Sequence, residues 1–179
     1  QKLTADHKVY EGSMEFGITT DSYDAQGAIT SRTNIPPLDC IKLNTLAQGF
    51  TGDIQQRPPM VSAVKKNGVP LYKLARKGKI IKREAKPVHI FSFEFSDYTQ
   101  PVGKFRVHCS KGTYVRSLAH ELGEKLTCGA HLRTLHRADS GDFNIKDAMK
   151  LEDLLELPDE ELTAKVITLL ELTRILQPK

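Results

Sequence analysis

With 179 residues, 39% of them apolar and 27% charged, the sequence suits one globular domain with or without a small appendage, and it is long enough to bury a core without staples. No apolar run reaches bilayer-spanning length and no charged-then-apolar leader opens the sequence, so no membrane partner is expected and a cytoplasmic setting is. The net charge of +4 is unevenly spread: residues 1–56 carry −3, residues 57–116 carry +11 and residues 117–179 carry −4.

HKVYEGSMEFG (7–17) has strand-forming composition and ends at a glycine. TTDSYDAQGAIT (19–30), rich in Asp, Ser and Gly, reads as a turn. Pro36-Pro37 breaks the chain, and LDCIKLNTLAQGF (38–50) sets Leu38, Ile41, Leu46 and Phe50 near helical spacing. TGDIQQRPP (51–59) reads as a loop, MVSAVKK (60–66) as a short strand and Asn67-Gly68 as a turn. VPLYKLARKG (69–78) predicts a short helix, with Pro70 in its first turn, Leu71, Leu74 and Ala75 on one face and Gly78 as its cap.

Alternation in PVHIFSFEFSDY (87–98) predicts a mostly buried strand carrying Val88, Ile90, Phe91, Phe93 and Phe95. KFRVHCS (104–110), with Phe105, Val107 and Cys109 on one face, completes an antiparallel hairpin. The clearest helix runs from Thr113, its candidate N-cap, to Leu126, because Val115, Leu118, Ala119, Leu122 and Leu126 share one stripe. AHLRTLHRADSGDFNI (130–145) predicts a short turn and strand, and acidic amphipathic helices follow at 151–157 and 159–176. Strand pairs interspersed with single helices favour an α+β fold over a wound parallel sheet.

The charge asymmetry suggests a polyanionic partner, since phosphates bound by Lys and Arg release counterions; a solvated basic face explains it equally well. Between residues 57 and 81 stand Arg57, Lys65, Lys66, Lys73, Arg76, Lys77 and Lys79, with no acid among them and Tyr72 in their midst. Lysines meet the backbone charge of RNA and an aromatic meets its bases; a surface hairpin remains the alternative. CSKGTYVRSLAHELG (109–123) puts Lys111, Tyr114 and Arg116 at the mouth of the predicted helix. Partial positive charge and free N–H groups favour an anion there, and Arg116 can grip a carboxylate through two parallel hydrogen bonds. Ordinary capping and surface charge are the competing explanation. Cys40, Cys109 and Cys128 are too few and too scattered for a disulfide framework and are read as reduced thiols. His120, Cys128 and His131 lack a second short-spaced pair of ligands, so no metal site is expected.

Four segments resemble one family. RPPMVSAVKKNGVPLYKLARKG (57–78) resembles the P-P-x-x-S-A-x-K-x-x-G-x-x-x-Y-x-x-A-R-x-G segment of TruB-type tRNA pseudouridine synthases, and CSKGTYVRSLAHELGEKL (109–126) their C-S-K-G-T-Y-[IV]-R motif and its helix. HKVYEGSMEFGITTDSYDAQG (7–27) is similar to their K-x-Y strand with its T-D-x-x-D-x-x-G turn, and LHRADSGDF (135–143) to their L-x-R-x-x-x-G-x-F ending. The motifs stand in the family's order, and together they are specific where any one is weak.

The resemblance implies a catalytic domain over residues 1–145 built on a mixed, mainly antiparallel central sheet, with residues 57–81 as an RNA-clasping thumb and helices of 146–179 packed on the domain. It implies isomerisation of the T-loop uridine of tRNA to pseudouridine without metal or organic cofactor, the T arm being the partner; a monomer is expected. The target uracil leaves its stack to be reached. Tyr10 would lie against the flipped ring and serve as a proton acceptor, Tyr114 and Lys111 would line the nucleotide pocket, and Leu135 would give the base apolar contact. Arg116 would pair with the nucleophilic aspartate and favour its ionised form. Lys65, Lys66 and Lys77 would hold the RNA backbone. The guanidinium at 116 and the rings at 10 and 114 would then converge on one cavity facing the thumb.

The family's nucleophilic aspartate lies in a G-x-L-D-P segment ahead of the K-x-Y strand, and no such segment occurs in these residues. Asp21 and Asp24 sit in the T-D-x-x-D turn, where stabilising the turn is the simpler role, and Asp6 has no motif around it. The parent protein is therefore expected to be an enzyme and the 179-residue chain alone to be inactive. A non-catalytic RNA-binding or tRNA-folding module is the competing expectation. An RNA-guided relative acting in a multi-protein particle is a weaker one, because extended basic tails are absent.

Overall fold

The computed structural model describes residues 7–66, 68–75 and 81–175. Its strands are β1 (His7–Phe16), β2 (Ile18–Thr20), β3 (Ile29–Arg32), β4 (Gly52–Gln56), β5 (Lys65–Lys66), β6 (Val69–Pro70), β7 (Lys86–Thr99), β8 (Val102–Ser110), β9 (Ala130–Ser140) and β10 (Phe143–Asn144). Its helices are α1 (Cys40–Gln48), α2 (Leu71–Ala75), α3 (Val115–Lys125), α4 (Leu151–Leu155), α5 (Asp159–Lys165) and α6 (Leu169–Ile175). Six strands form one antiparallel sheet in the order β10-β9-β1-β8-β7-β4, and β2–β3 and β5–β6 form two short separate ladders. The architecture is α+β, as the sequence pattern predicts.

Alternation along β1, β7 and β8 sends Met14, Phe16, Ile90, Phe93, Phe95, Phe105, Val107 and Cys109 to one face, where α1 and α3 cover them with Leu43, Ala47, Leu118, Ala119 and Leu122. Each of the buried Val, Leu, Ile, Met and Phe side chains contributes about 1.5–3 kcal/mol on burial, so this one-sided core holds the molecule together. The opposite face is polar: Arg106 pairs with Glu11 and Asp139, Arg133 with Glu15, and Lys104 with Asp97.

Several boundaries differ from expectation, each for a local reason. TGDIQQ is not a loop: Gly52–Gln56 pairs with β7 from Ile90 to Lys86, and its polar residues suit an edge strand. Phe91 is 47% exposed rather than buried. A bulge between Ile90 and Ser92 shifts the β7–β8 register by one residue, so Ile90 and Phe93 both face the core while Phe91 turns outward. Asp39 caps α1 by accepting from the Lys42 N–H at 2.7 Å, which aims Leu43 and Ala47 at the sheet and leaves Ile41 79% exposed. Strand pairing in 60–66 is confined to β5, and the helix predicted over 69–78 spans Leu71–Ala75, with Pro70 ending β6. Gly78 lies outside the described residues. Within residues 130–145 the chain forms one long strand, Ala130–Ser140, bulged against β1 at two places, and a short one, Phe143–Asn144, that folds back on it. Contrary to the expected packing on the domain, α4 and α5 bury none of their residues, and Leu151 and Leu155 are exposed.

Candidate active site

The route into α3 is set by its glycine. Gly112 has φ +85° and an ideal Cβ there would meet nothing within 4 Å, so the requirement is conformational rather than steric. Thr113 does not cap the helix; its hydroxyl donates to the Ser110 carbonyl at 2.8 Å. Tyr114 takes the N-cap position without a capping side chain. Its backbone is held instead by buried Gln56: the Tyr114 N–H donates to Gln56 Oε1 at 2.6 Å, and Gln56 Nε2 donates to the Tyr114 carbonyl at 3.1 Å. The end of β4 and the root of the thumb are thereby fastened to the mouth of α3, and the Ser117 hydroxyl adds a 3.0 Å bond to the Arg57 carbonyl.

Arg116, in the first turn of α3, joins three segments. Its Nη1 donates to Asp24 Oδ2 at 2.9 Å and, more weakly, to the Ser22 carbonyl at 3.5 Å; its Nη2 donates to the Val61 carbonyl at 2.9 Å. The Arg116 and Asp24 side chains are 23% and 22% exposed. A pair screened to that degree is stronger than a surface ion pair and less penalised by desolvation than a dry one. Asp24 does stabilise its turn, Oδ1 accepting from the Ser22 hydroxyl at 2.6 Å and the Gln26 N–H at 3.1 Å. It is also the carboxylate that Arg116 grips, a role not foreseen from the sequence. Beside the pair lies a cavity of about 450 Å³, lined by Asp21, Ser22, Asp24, Val61, Tyr72 and Arg116 among others.

Tyr10 and Leu135 occupy a second patch. In the β1–β9 register Tyr10 faces Arg137 and Gly12 faces Leu135, so Tyr10 and Leu135 are diagonal neighbours on one face. A Cβ at Gly12 would lie 2.1 Å from the Thr134 carbonyl oxygen, which is why the strands approach this closely only at a glycine. Leu135 is 45% exposed. Burial, and then the nearby Cys109, raises the Tyr10 phenol above its ordinary pKa, while a hydrogen bond from Arg137 opposes the shift. Burial likewise raises the Cys109 thiol. The two patches are linked through β9, because Asp24 bridges to Leu132 and the Leu132 N–H donates to the Tyr23 carbonyl at 2.9 Å.

The cavity beside Arg116 is not lined by Tyr10, Tyr114 or Leu135; its aromatic wall is Tyr72 of the thumb. Lys111 stands exposed in the turn before α3. Lys65 and Lys66 are described through their backbone in β5, and Lys77 lies outside the described residues. The sequence offers Asp24 only as a turn-stabilising carboxylate and Tyr72 only as an aromatic among lysines; the structure adds that both stand beside Arg116.

Residues 1–115 match the family model described as TruB family pseudouridylate synthase, N-terminal domain, and residues 116–179 match the tRNA pseudouridylate synthase B C-terminal domain. The chain is 44% identical over 167 residues to tRNA pseudouridine synthase B of Opitutus terrae, covering 93% of this chain and 69% of that protein. It is 45% identical over 165 residues to the protein of the same name from Francisella tularensis, covering 92% of this chain and 54% of that one. The chain thus spans little more than half of the Francisella relative. Among solved structures, a chain of a Cbf5-Nop10-Gar1 complex superposes with a TM-score of 0.62 at 25% identity over 87% of this chain and 37% of its own. A chain of an H/ACA RNP bound to a substrate RNA shares the fold with a TM-score of 0.59 at 23% identity, over 87% of this chain and 35% of its own. A motif helix that carries Arg116, a T-D-x-x-D turn that supplies its carboxylate and family models that together run the length of the chain have one explanation: this chain belongs to the TruB family of pseudouridylate synthases.

Proposed function

We propose that the protein containing this chain isomerises a T-loop uridine of tRNA to pseudouridine, and that these residues supply the pocket wall and the RNA clamp. The observation that carries this reading is Arg116, a largely buried guanidinium gripped by Asp24 and by the thumb's Val61 carbonyl at the edge of an open cavity. The relatives' shared name, tRNA pseudouridine synthase B, supports it.

The isomerisation breaks the bond between ribose C1′ and uracil N1, forms one from C1′ to C5, removes the C5 proton and returns a proton to N1. No oxidant or reductant is needed. A carboxylate nucleophile, brought by a G-x-L-D-P segment, has to be ionised and aimed. A guanidinium has five N–H donors, and its contacts with Asp24, Ser22 and Val61 among the described residues use Nη1 and Nη2, which leaves Nε for a second carboxylate. The positive charge of Arg116 holds that carboxylate in its ionised form. Tyr10 is protonated at neutral pH, as a phenol ordinarily is, and burial makes its proton harder still to remove. It therefore acts first as a stacking face, and accepts a proton only with the Arg137 cation beside it. Leu135 covers the other apolar edge of the uracil, Tyr114 and Lys111 border the nucleotide, and Lys65, Lys66 and Lys77 neutralise phosphates across the thumb.

The test is Arg116→Ala in a polypeptide that carries a G-x-L-D-P segment ahead of these residues. Turnover is expected to fall by roughly 100-fold or more, with tRNA affinity changed by less than about 3-fold. Affinity falling as far as turnover would mean that Arg116 holds RNA rather than a carboxylate. The 179-residue chain by itself is expected to bind tRNA without converting it; pseudouridine made by this chain alone would overturn that assignment.

A further inference from the structure

We propose that His120 and Tyr23 are a positioning pair, a ring-on-ring clamp that fixes the Asp24 turn and so sets the Arg116 guanidinium; the proposal rests on the role given to Arg116 above. Arg116 and His120 are four residues apart on α3 and share one side of the helix. Arg116 grips the turn at Ser22 and Asp24, the residues on either side of Tyr23. His120 grips it at Tyr23 itself, the rings stacked with centroids 3.8 Å apart and planes 8° from parallel.

Two features say that the stack does more than fill space. Tyr23 has φ +66°, a left-handed backbone that a residue with a Cβ adopts at a cost, and it occurs at the residue preceding the carboxylate. That backbone is held by the Tyr23 N–H donating to the Thr20 carbonyl at 3.3 Å and by the Leu132 N–H donating to the Tyr23 carbonyl at 2.9 Å, with the ring stacked above them. In addition, His120 Nδ1 is buried with no hydrogen-bond partner among the described residues, and Nε2 has only Glu124 at 3.4 Å. The imidazole is therefore kept in place by its face more than by its nitrogens. The charged groups that bear on it are Glu124 on its own helix and Arg83 from the segment before β7; on the turn, which also carries Asp21 and Asp24, Tyr23 is the residue stacked against it. A carboxylate that must hold a guanidinium at one angle gains from a turn clamped at the residue next to that carboxylate.

Hydrogen exchange on the chain as it stands reads the clamp directly. The Gln26 and Ala28 amides, bonded to Asp24 and Asp21, report the turn; amides of the β1–β8 ladder report the fold. In His120→Ala the turn amides are expected to exchange at least about 10-fold faster with the ladder unchanged, and in His120→Phe, which keeps a ring face, to stay within about 2-fold of wild type. If His120→Ala does not fold, Tyr23→Ala must give the same local pattern. In a polypeptide that also carries the G-x-L-D-P segment, His120→Ala is expected to lower kcat by about 10-fold at unchanged KM for tRNA, with His120→Phe restoring it. Unchanged turn amides, or a loss spread evenly over the ladder, would overturn the proposal. If Arg116→Ala abolishes turnover while His120→Ala leaves kcat alone, the clamp is wrong and the reading of Arg116 stands. If Arg116→Ala leaves turnover intact, that reading fails, and the exchange data still decide whether the rings fix the turn.

Discussion

Two segments reach Arg116 from different sides, and they are built differently. The turn over residues 21–27 is over-determined: Asp21 accepts from the Ala28 N–H at 2.9 Å, the Thr20 hydroxyl donates to the Asp24 carbonyl at 2.7 Å, and the Ala25 N–H donates to the Leu132 carbonyl at 2.9 Å. Among the described residues, the thumb hydrogen-bonds the same guanidinium through the main-chain oxygen of Val61. It is folded on itself by the Leu71 and Tyr72 N–H groups donating to the Val64 and Ser62 carbonyls, and the buried Ser62 hydroxyl finds no partner among the described residues. The difference separates two duties. A carboxylate that orients a cation has to be immobile, whereas an arm proposed to close over RNA has to be separable from the site it covers.

Removing the rigid side should do the most damage. Asp24→Ala leaves the guanidinium without its carboxylate and the turn without a cap, and is expected to cost about 1–3 kcal/mol of stability by thermal or chemical unfolding. The same change, placed in a turnover-competent polypeptide, is expected to lower kcat by at least about 10-fold. A stable, fully active variant would show that the thumb contact alone suffices. The separable side should respond in affinity instead. Replacing Lys65, Lys66 and Lys77 together by alanine is expected to weaken tRNA binding and to reduce the slope of log affinity against log salt by about 2–3, with kcat at saturating tRNA preserved. An unchanged slope would remove the thumb from the RNA contact.

The smallest effect is a pH dependence at the clamp. Burial, then Arg83, lowers the His120 pKa below its ordinary 6.5, with Glu124 opposing. A histidine whose folded pKa is depressed binds fewer protons in the folded than in the unfolded state. Its contribution is therefore whole above about pH 6.5 and is lost as pH falls through the lower folded value. His108, on the far face of the sheet, is lowered in the same direction, again by burial first. The informative measurement is thus the difference in Tm between wild type and His120→Phe, which should widen in favour of the variant from pH 7 to pH 5.

Regular periodicity was readable and compensated irregularity was not. The α3 stripe and the alternation of β1 and β8 are visible in the sequence because each residue's burial follows from its own position. β9 was foreshortened because Arg133 to Arg137 are all exposed, so the strand shows no alternation there even though it pairs along its whole length with β1. Phe91 was misplaced because a bulge changes the parity of β7 with no glycine or proline to announce it. β4 reads as a loop in the sequence because an edge strand needs only one partner and can be mostly polar. At the site, Arg116 stood out as a whole charge at a helix mouth. Asp24 did not, since a carboxylate that caps its own turn looks satisfied until the fold brings a cation to its other oxygen.

Gln56 has a consequence for how the arm and the helix are tied together. Its side-chain amide meets the Tyr114 peptide as another peptide would, giving a hydrogen to the oxygen and taking one from the nitrogen. Glutamate is nearly isosteric but ionised, and would set oxygen against oxygen at a place with almost no water to soften the conflict. That exchange would pry the root of the arm away from the helix that bears the cation, so the placement of Arg116 is inherited in part from a buried, neutral side chain.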